Sequence, residues 1–61
     1  MKLYKTKCVY GYSILGEKPQ KINRDANYYI IGKSKYFPNC AIIQRVDMED
    51  EKRIVPLDSM Y

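Results

Sequence analysis

The feature that most limits the fold of this chain is its length of 61 residues. A domain of this size buries only about 60% of the surface that its unfolded chain exposes, which leaves room for one thin core. We therefore expect residues 1–61 to form a single small domain. Hydrophobic residues make up 46% of the chain and charged residues 30%, a balance typical of a folded protein rather than a disordered or membrane-embedded one.

The apolar residues favour β-strands, because Ile and Tyr, seven of each, are the most numerous while Ala and Leu are scarce. Residues 3–12 alternate with a period of two, which predicts a half-buried strand. One predicted face carries Tyr4, Thr6, Cys8, Tyr10 and Tyr12, and the other carries Lys5 and Lys7. The next segment, residues 15–27, is mostly polar and predicts a long loop with a short strand around Pro19–Ile22. A short helix in residues 17–26 is the alternative.

The second half of the chain predicts further strands. Residues 28–31 are apolar without alternation, as in a strand covered on both faces, and Gly32 then predicts a bulge or bend. Residues 33–37 continue that strand, and Pro38-Asn39 reads as a turn.

Residues 40–46 form the next predicted strand, and residues 47–52 form a polar hairpin connection. Arg53 to Leu57 returns as a last strand, which Pro56 limits to a sheet edge or a strand end. Asp58 is then the predicted N-cap of one helical turn. The pattern as a whole predicts an all-β fold, either a small barrel or a strongly bent antiparallel sheet of four to five short strands with a terminal 3-10 turn.

The chain lacks the residues that several classes of function usually require. The chain has no His, and its two cysteines, Cys8 and Cys40, form no Cys-x-x-Cys pair. The three glycines form no phosphate-binding motif. We therefore expect no enzyme, no catalytic residue, no metal and no cofactor. Both cysteines lie in apolar runs, and three hypotheses stay open for them: small core residues, a Cys8–Cys40 disulfide, or a reactive thiol.

Both ends of the chain resemble a known family. Cys8-Val9-Tyr10-Gly11-Tyr12 resembles the Ala-Leu-Tyr-Asp-Tyr opening of SH3 domains, and residues 55–61 resemble their closing Pro-x-x-Tyr turn. The resemblance implies an SH3-like small β-barrel. In that family the two segments flank a groove for proline-rich peptides, which would make groove residues of Tyr10, Tyr12, Pro56 and Tyr61. The family's groove tryptophan is missing and its acidic loop is replaced by basic residues 16–24, so we take the resemblance to support the barrel and not peptide binding.

Small barrels of this kind are similar to accessory proteins of bacteriophages and mobile elements. The chain starts at Met1 and stops just after its last predicted element, so we expect a complete small gene product. The N-terminus has lysines but no following apolar stretch, which argues against a secretory signal and leads us to expect a cytoplasmic protein.

Charge and tyrosines point to a macromolecular partner. Residues 1–24 carry +5, residues 25–46 carry +2 and residues 47–61 carry −3, which together give the net +4. Seven tyrosines cannot all be buried in so small a core, and exposed Tyr is favoured at interfaces. The first hypothesis is therefore a module that binds a protein partner in the manner of an inhibitor or adaptor, with a homodimer as a variant. Its candidate contacts are Tyr10, Tyr12, Tyr36, Pro56 and Tyr61.

The second hypothesis is a small basic barrel that binds single-stranded DNA or RNA. Aromatic side chains interleaved with lysines suit base stacking beside phosphate contacts. The residues that would carry this activity are Lys5, Lys7, Lys18, Lys21, Lys33, Lys35 and Tyr36. The acidic run from Asp47 to Glu51 argues against it, because carboxylates repel phosphate.

Overall fold

The structure, a computed structural model that describes residues 2–13 and 18–61, is one antiparallel sheet of five strands. The elements are β1 (Tyr10–Tyr12), β2 (Pro19–Lys21), β3 (Tyr28–Lys33), β4 (Cys40–Arg45), β5 (Met48–Pro56) and a 3-10 turn (Leu57–Ser59). The strand order across the sheet is β2-β1-β5-β4-β3. This confirms the predicted all-β fold with a terminal 3-10 turn. The sheet is open, because its edge strands β2 and β3 do not pair with each other.

The predicted N-terminal strand is mostly not a regular strand. Of residues 3–12, only Tyr10–Tyr12 join the sheet, while Tyr4 and Thr6 make isolated bridges to Tyr28 and Met60. The Tyr4 N–H donates to the Tyr28 carbonyl and the Tyr28 N–H to the Tyr4 carbonyl, each at 2.8 Å. The N-terminal segment thus ties the start of β3 to the C-terminal residues.

The predicted shared face of Thr6, Tyr10 and Tyr12 is wrong. Thr6 is buried, whereas Tyr10 and Tyr12 are exposed and Gly11 between them is buried. A bend at Val9 interrupts the extended chain, so the alternation changes phase before β1 begins. Gly11 faces inward at close range: a Cβ atom there would lie 2.6 Å from Ile22 Cδ1 and 2.9 Å from Val55 Cγ1.

One face of the sheet carries the core. The core cluster consists of Ile22, Tyr28, Ala41, Ile43 and Val55. Ala41 of β4 lies opposite Val55 of β5, and directly opposed residues of an antiparallel pair point to the same face. Beside this cluster, the buried Thr6 and Ser59 hydroxyls lie 3.0 Å apart. That hydrogen bond satisfies polar groups that would be costly to bury alone.

The middle of the chain follows the predictions more closely. The short strand around Pro19 is confirmed as β2, and the helix alternative is wrong for the described part of its range, since Arg24 and Asp25 form a turn. The register shifts between Ile30 and Gly32, which confirms the bulge. The strand ends at Lys33 instead of continuing to residue 37. Pro38 and Asn39 form the predicted turn, and Asn39 adopts a φ of 61°, which Asn tolerates better than most residues.

Two of three predictions about the last third of the chain are wrong. Residues 47–52 are not a connection, because the turn is only Val46-Asp47 and β5 begins at Met48. Pro56 is the last residue of β5, which confirms the predicted strand end, while β5 itself lies inside the sheet between β1 and β4. Asp58 is not the N-cap, since Pro56 holds that position without a side-chain hydrogen bond. Met48 and Lys52 pair with β4, and the acidic residues between them, Glu49 to Glu51, lie in the irregular part of that register despite their low strand preference.

Candidate functional site

The sheet has a second face, opposite the core. Along β4 and β5, Ile42 opposes Ile54 and Cys40 opposes Pro56, in alternation with the core pair Ala41 and Val55. Tyr12 of β1 also opposes Ile54, and side chains of directly opposed residues share a face. We call this surface the outer face, and define it by Tyr12, Cys40, Ile42, Ile54 and Pro56 together with the loop of residues 34–39 that crosses it.

The loop of residues 34–39 brings an aromatic ring to the outer face. The rings of Tyr12 and Phe37 are stacked, with centroids 5.3 Å apart and an interplanar angle of 13°. The backbone N–H groups of Tyr36 and Phe37 both donate to Ser34 Oγ, at 3.2 and 3.1 Å. These bonds hold the loop in place beneath the stack. Ile54 is only 3% exposed although it lies outside the core cluster.

An apolar hollow adjoins the stack at the Phe37-Pro38 peptide. It has a volume of about 540 Å³ and is lined by Pro38, Asn39, Cys40, Pro56, Leu57 and Asp58. The Leu57 N–H donates to the Asn39 carbonyl at 2.8 Å, which ties the 3-10 turn to the Pro38-Asn39 turn. Because proline rings fix φ, two of the walls are rigid. The outer face therefore offers a preformed apolar surface.

Most of the predicted protein-binding residues lie on this side of the molecule. Tyr12 and Pro56 belong to the outer face, and Tyr10 points the same way as Tyr12 because the two flank the inward-facing Gly11. Tyr36, 78% exposed, lies in the loop. Tyr61 is placed differently: its N–H donates to the Lys5 carbonyl, and Lys7 Nζ lies 5.8 Å from its ring centroid.

The lysines of the nucleic-acid hypothesis fall into two groups. Lys33 and Lys35 line a second hollow of about 170 Å³ with Ser34, Tyr36, Ile42 and Ile54, and Lys21 opposes Tyr10 across the β1–β2 pair. Lys18 is exposed just before β2. Lys5 instead donates to the Asp25 carbonyl at 2.8 Å, and Lys7 lies beside Tyr61. The structure therefore does not bring all seven residues together.

The acidic residues gather at the opposite end of β5. Arg45 Nε lies 2.7 Å from Asp47 Oδ1, and Arg45 also lies near Glu51. Met48 lies opposite Arg45 and Pro56 opposite Cys40, so at about 3.3 Å per residue of β4 this end is separated from Pro56 by roughly 17 Å. The chain is thus electrically polarised along β5, with acids at the β4–β5 turn.

The same acidic end contains the two shifted titratable groups. Burial, the charge of Glu51 and the hydrogen bond to Glu51 raise the pKa of Tyr28. The Tyr28 hydroxyl lies 3.2 Å from both the Asn23 carbonyl and Glu51 Oε2. The hydrogen bond to Asp47 raises the pKa of Arg45. The Tyr28 hydroxyl therefore donates to acceptors that join the turn at Asn23 to β5.

Cys8 and Cys40 are free and half-buried, so the disulfide hypothesis is wrong for this structure. Cys8 packs against the core cluster, in agreement with the first of the three hypotheses for it. Cys40 lines the apolar hollow instead. Within residues 2–13 and 18–61, no group of three Cys, Asp or Glu side chains could hold a metal ion.

Sequence reasoning missed Phe37, Pro38 and Leu57 as components of the surface. The predicted Pro38-Asn39 turn could have indicated Phe37 and Pro38, because a reversal of the chain at these residues brings the preceding loop back toward the sheet. The partner of Phe37 could not be found this way, since Tyr12 lies 25 positions away and the phase of β1 depends on the bend at Val9.

No family model matches the sequence, and no curated protein or solved structure is significantly similar to the chain. Among the described residues, no helix has the length and apolar character needed to span a membrane.

Proposed function

We propose that the chain is a non-enzymatic interaction module that binds an extended segment of a protein partner at its outer face, in the manner of an inhibitor or adaptor. One observation carries the proposal: the Tyr12–Phe37 stack lies beside an apolar hollow walled by Pro38, Pro56 and Leu57. Exposed aromatic side chains supply large, rigid contact area at low entropic cost.

The hydrogen bonds that fix this surface support the interpretation that it is a binding site and not a set of incidentally exposed apolar side chains. Isolated apolar side chains on a surface are ordinary and need no explanation. Here the loop is held by Ser34 and the 3-10 turn by Asn39, so little conformational freedom remains to be lost on association. Preorganisation of this kind raises affinity by lowering the cost of ordering side chains.

We further infer that the open sheet is a variant of an SH3-like small barrel. The N-terminal residues 4–7 lie between the start of β3 and the C-terminal residues, and Tyr12 and Pro56 share one face, as the sequence resemblance implies. A bacteriophage or mobile-element origin and a cytoplasmic location stay predictions. A homodimer also stays a prediction, and sedimentation at increasing concentration would detect it as a rise in apparent mass.

Nucleic-acid binding is the second candidate, because Lys33, Lys35 and Tyr36 line a common hollow. Two features weigh against it. The rings of Tyr12 and Phe37 are stacked on each other, which leaves fewer free ring faces for bases. Asp58 lies in the adjoining hollow and repels phosphate.

Selection from a displayed library of random peptides tests the proposal. Peptides of about 10 residues reach roughly 33 Å when extended, longer than the protein itself. We expect enrichment on the purified protein, and loss of the enriched peptides on Phe37→Ser, which removes the stack. The matched control is Val46→Ser, an exposed apolar residue at the opposite end of β4. Absence of enrichment, or equal loss on both variants, would refute binding at the outer face.

Fluorescence anisotropy with labelled single-stranded DNA and RNA, at about 50 and 200 mM salt, tests the second candidate. Binding that weakens steeply with salt and is lost on neutralising Lys33 and Lys35 would favour nucleic acid over protein.

A further inference from the structure

We propose that the segment bound at the outer face is acidic, with carboxylates beside Lys33 and Lys35 and apolar side chains in the hollow of Pro38, Pro56 and Leu57. This inference rests on the proposed function and names the chemistry of the partner. The inference rests on the positions of the lysines and of Asp58 around the apolar outer face.

The first observation is the position of the lysines. Lys35, in the loop of residues 34–39, is exposed and lines the hollow with Ile42 and Ile54, and Lys33, the exposed last residue of β3 opposite Ala41, borders the same hollow. On the other side of Tyr12, the exposed Lys21 opposes Tyr10 across the β1–β2 pair. An extended chain that crosses the Tyr12–Phe37 stack therefore passes between ammonium groups on both sides.

The second observation is that these lysines have no acidic partner in the described part of the chain. The ion pairs there are those of Arg45 with Asp47 and Glu51, at the β4–β5 turn. The acids of β5, Glu49 to Glu51, lie three to five residues before Ile54, which lines the hollow. Lys21, Lys33 and Lys35 thus form no ion pair with the described residues, and a ligand carboxylate is the group that would complement them.

The third observation gives the segment a direction. Asp58 lines the apolar hollow, whereas Lys33 and Lys35 line the neighbouring one. A carboxylate of the ligand is favoured near the lysines and disfavoured near Asp58. The bound segment therefore carries its acids toward Lys33 and Lys35 and a neutral or basic residue at the Asp58 end.

Peptide chemistry fits these observations better than a nucleic acid does. The hollow between Pro38 and Leu57 is lined mainly by apolar groups, which suit an aliphatic side chain. A polynucleotide has a phosphate at every step and would place one near Asp58. An acidic peptide can place its charges on one side only.

The sequences of the displayed peptides enriched on the wild-type protein provide the test. We expect two or more Asp or Glu residues per peptide, grouped toward one end, with apolar residues toward the other. Enriched peptides that are neutral or basic would overturn the acidic inference while leaving the proposed function intact. Absence of enrichment would refute the proposed function itself, so the two failures are distinguishable.

Charge reversal then locates the contact. A synthetic enriched peptide is titrated against Lys33→Glu/Lys35→Glu and against Lys2→Glu/Arg24→Glu, a control whose exposed residues lie away from the loop of residues 34–39. Both variants lower the net charge from +4 to 0, so long-range attraction falls equally. We expect roughly tenfold weaker binding for the first variant than for the control, because only the first reverses the two charges that border the hollow.

Equal weakening of the two variants would show that net charge and not the outer face attracts the peptide, and would overturn the inference. Circular dichroism of both variants checks that they fold. Tight binding of labelled single-stranded DNA at about 200 mM salt, lost on Lys33→Glu/Lys35→Glu, would replace the acidic peptide with a nucleic acid.

Discussion

The two faces of the β4–β5 pair carry similar apolar residues, but different parts of the chain cover them. On the core face, Ala41, Ile43 and Val55 are almost completely buried beneath Tyr28 and Ile22. On the outer face, Ile54 is buried to a similar degree, yet its cover is the loop of residues 34–39 and the ring of Tyr12, which is itself 41% exposed. The outer face is therefore a second apolar layer that ends in exposed aromatic groups.

The difference between the faces separates stability from binding. A core side chain contacts partners on all sides, so its removal leaves a cavity. An outer-face aromatic has one side against the protein and one side free, so its removal costs little stability and much contact area for a partner. Four substitutions, taken from the largest expected effect on stability to the smallest, test this division.

The largest effect is expected for Ile43→Ala, because Ile43 is fully buried in the core cluster. We expect a loss of about 2–5 kcal/mol in the free energy of unfolding, measured by urea denaturation. The neighbouring Ile42→Ala is the control, since Ile42 is half-buried on the outer face, and it should cost about 1–2 kcal/mol. Equal costs would erase the distinction between the two faces.

A smaller loss is expected for Gly11→Ala. The new Cβ atom would approach Ile22 Cδ1, Val55 Cγ1 and the Ile54 carbonyl at 2.6, 2.9 and 3.1 Å, so the core must shift, at a cost of about 1–3 kcal/mol. Gly32→Ala is the matched control, because a Cβ atom at that position would have no neighbouring atom within 4 Å. That variant should be neutral or more stable by up to about 1 kcal/mol. A neutral Gly11→Ala would contradict the close packing of β1 on the core.

Tyr28→Phe removes the hydroxyl beside Glu51 and the Asn23 carbonyl and should cost about 1 kcal/mol at neutral pH. Its second effect depends on pH. Because the pKa of Tyr28 is raised in the folded protein, the stability linked to its neutral form is complete below about pH 10 and is lost as pH rises through the raised pKa.

Urea denaturation at a series of alkaline pH values reads out this effect. The wild-type protein should lose stability more steeply above about pH 10 than Tyr28→Phe. Tyr4→Phe is the control, because Tyr4 is a half-buried tyrosine that is joined to β3 through its backbone. Parallel pH profiles for wild type and Tyr28→Phe would argue against a role of Tyr28 in the alkaline loss of stability.

The smallest effect on stability is expected for Phe37→Ser, which removes the ring that stacks on Tyr12. Aromatic pairs contribute about 0.5–1.5 kcal/mol beyond their area, and less where solvent reaches them. The same variant should lose the peptides enriched on the wild-type protein. A large loss of stability would show that Phe37 contributes to folding as much as a core residue, which would contradict the contrast between the two faces.

Local patterns were sufficient for much of the fold. Cys40-Ala41-Ile42-Ile43 predicts a strand from β-branched residues, Gly32 predicts a bulge, and Pro38-Asn39 predicts a turn, all of which form. The errors lie where pairing overrides local preference. Residues 48–52 look like a connection but belong to β5, because Met48 pairs with Arg45 and Lys52 with Gln44 on the two sides of a register shift.

The candidate site was only partly predictable. Tyr10, Tyr12, Tyr36 and Pro56 were recognisable as exposed aromatic or edge-like residues, and they lie on one side of the molecule. Tyr61 had the same local appearance, yet its backbone pairs with Lys5. The sequence indicates that seven tyrosines are too many for so small a core. It does not indicate which residues each tyrosine contacts in the fold.

The sequence by itself determined the class of this protein: a small all-β chain with too many tyrosines for its core and a positive N-terminal half. Those properties depend on composition and on residues adjacent in the chain. Only the tertiary structure decided which tyrosines are exposed, that Phe37 stacks on Tyr12, and that Lys33 and Lys35 line a hollow on the outer face. The reason is that each depends on the register of strands distant in sequence, where a shift of one residue moves every side chain to the opposite face.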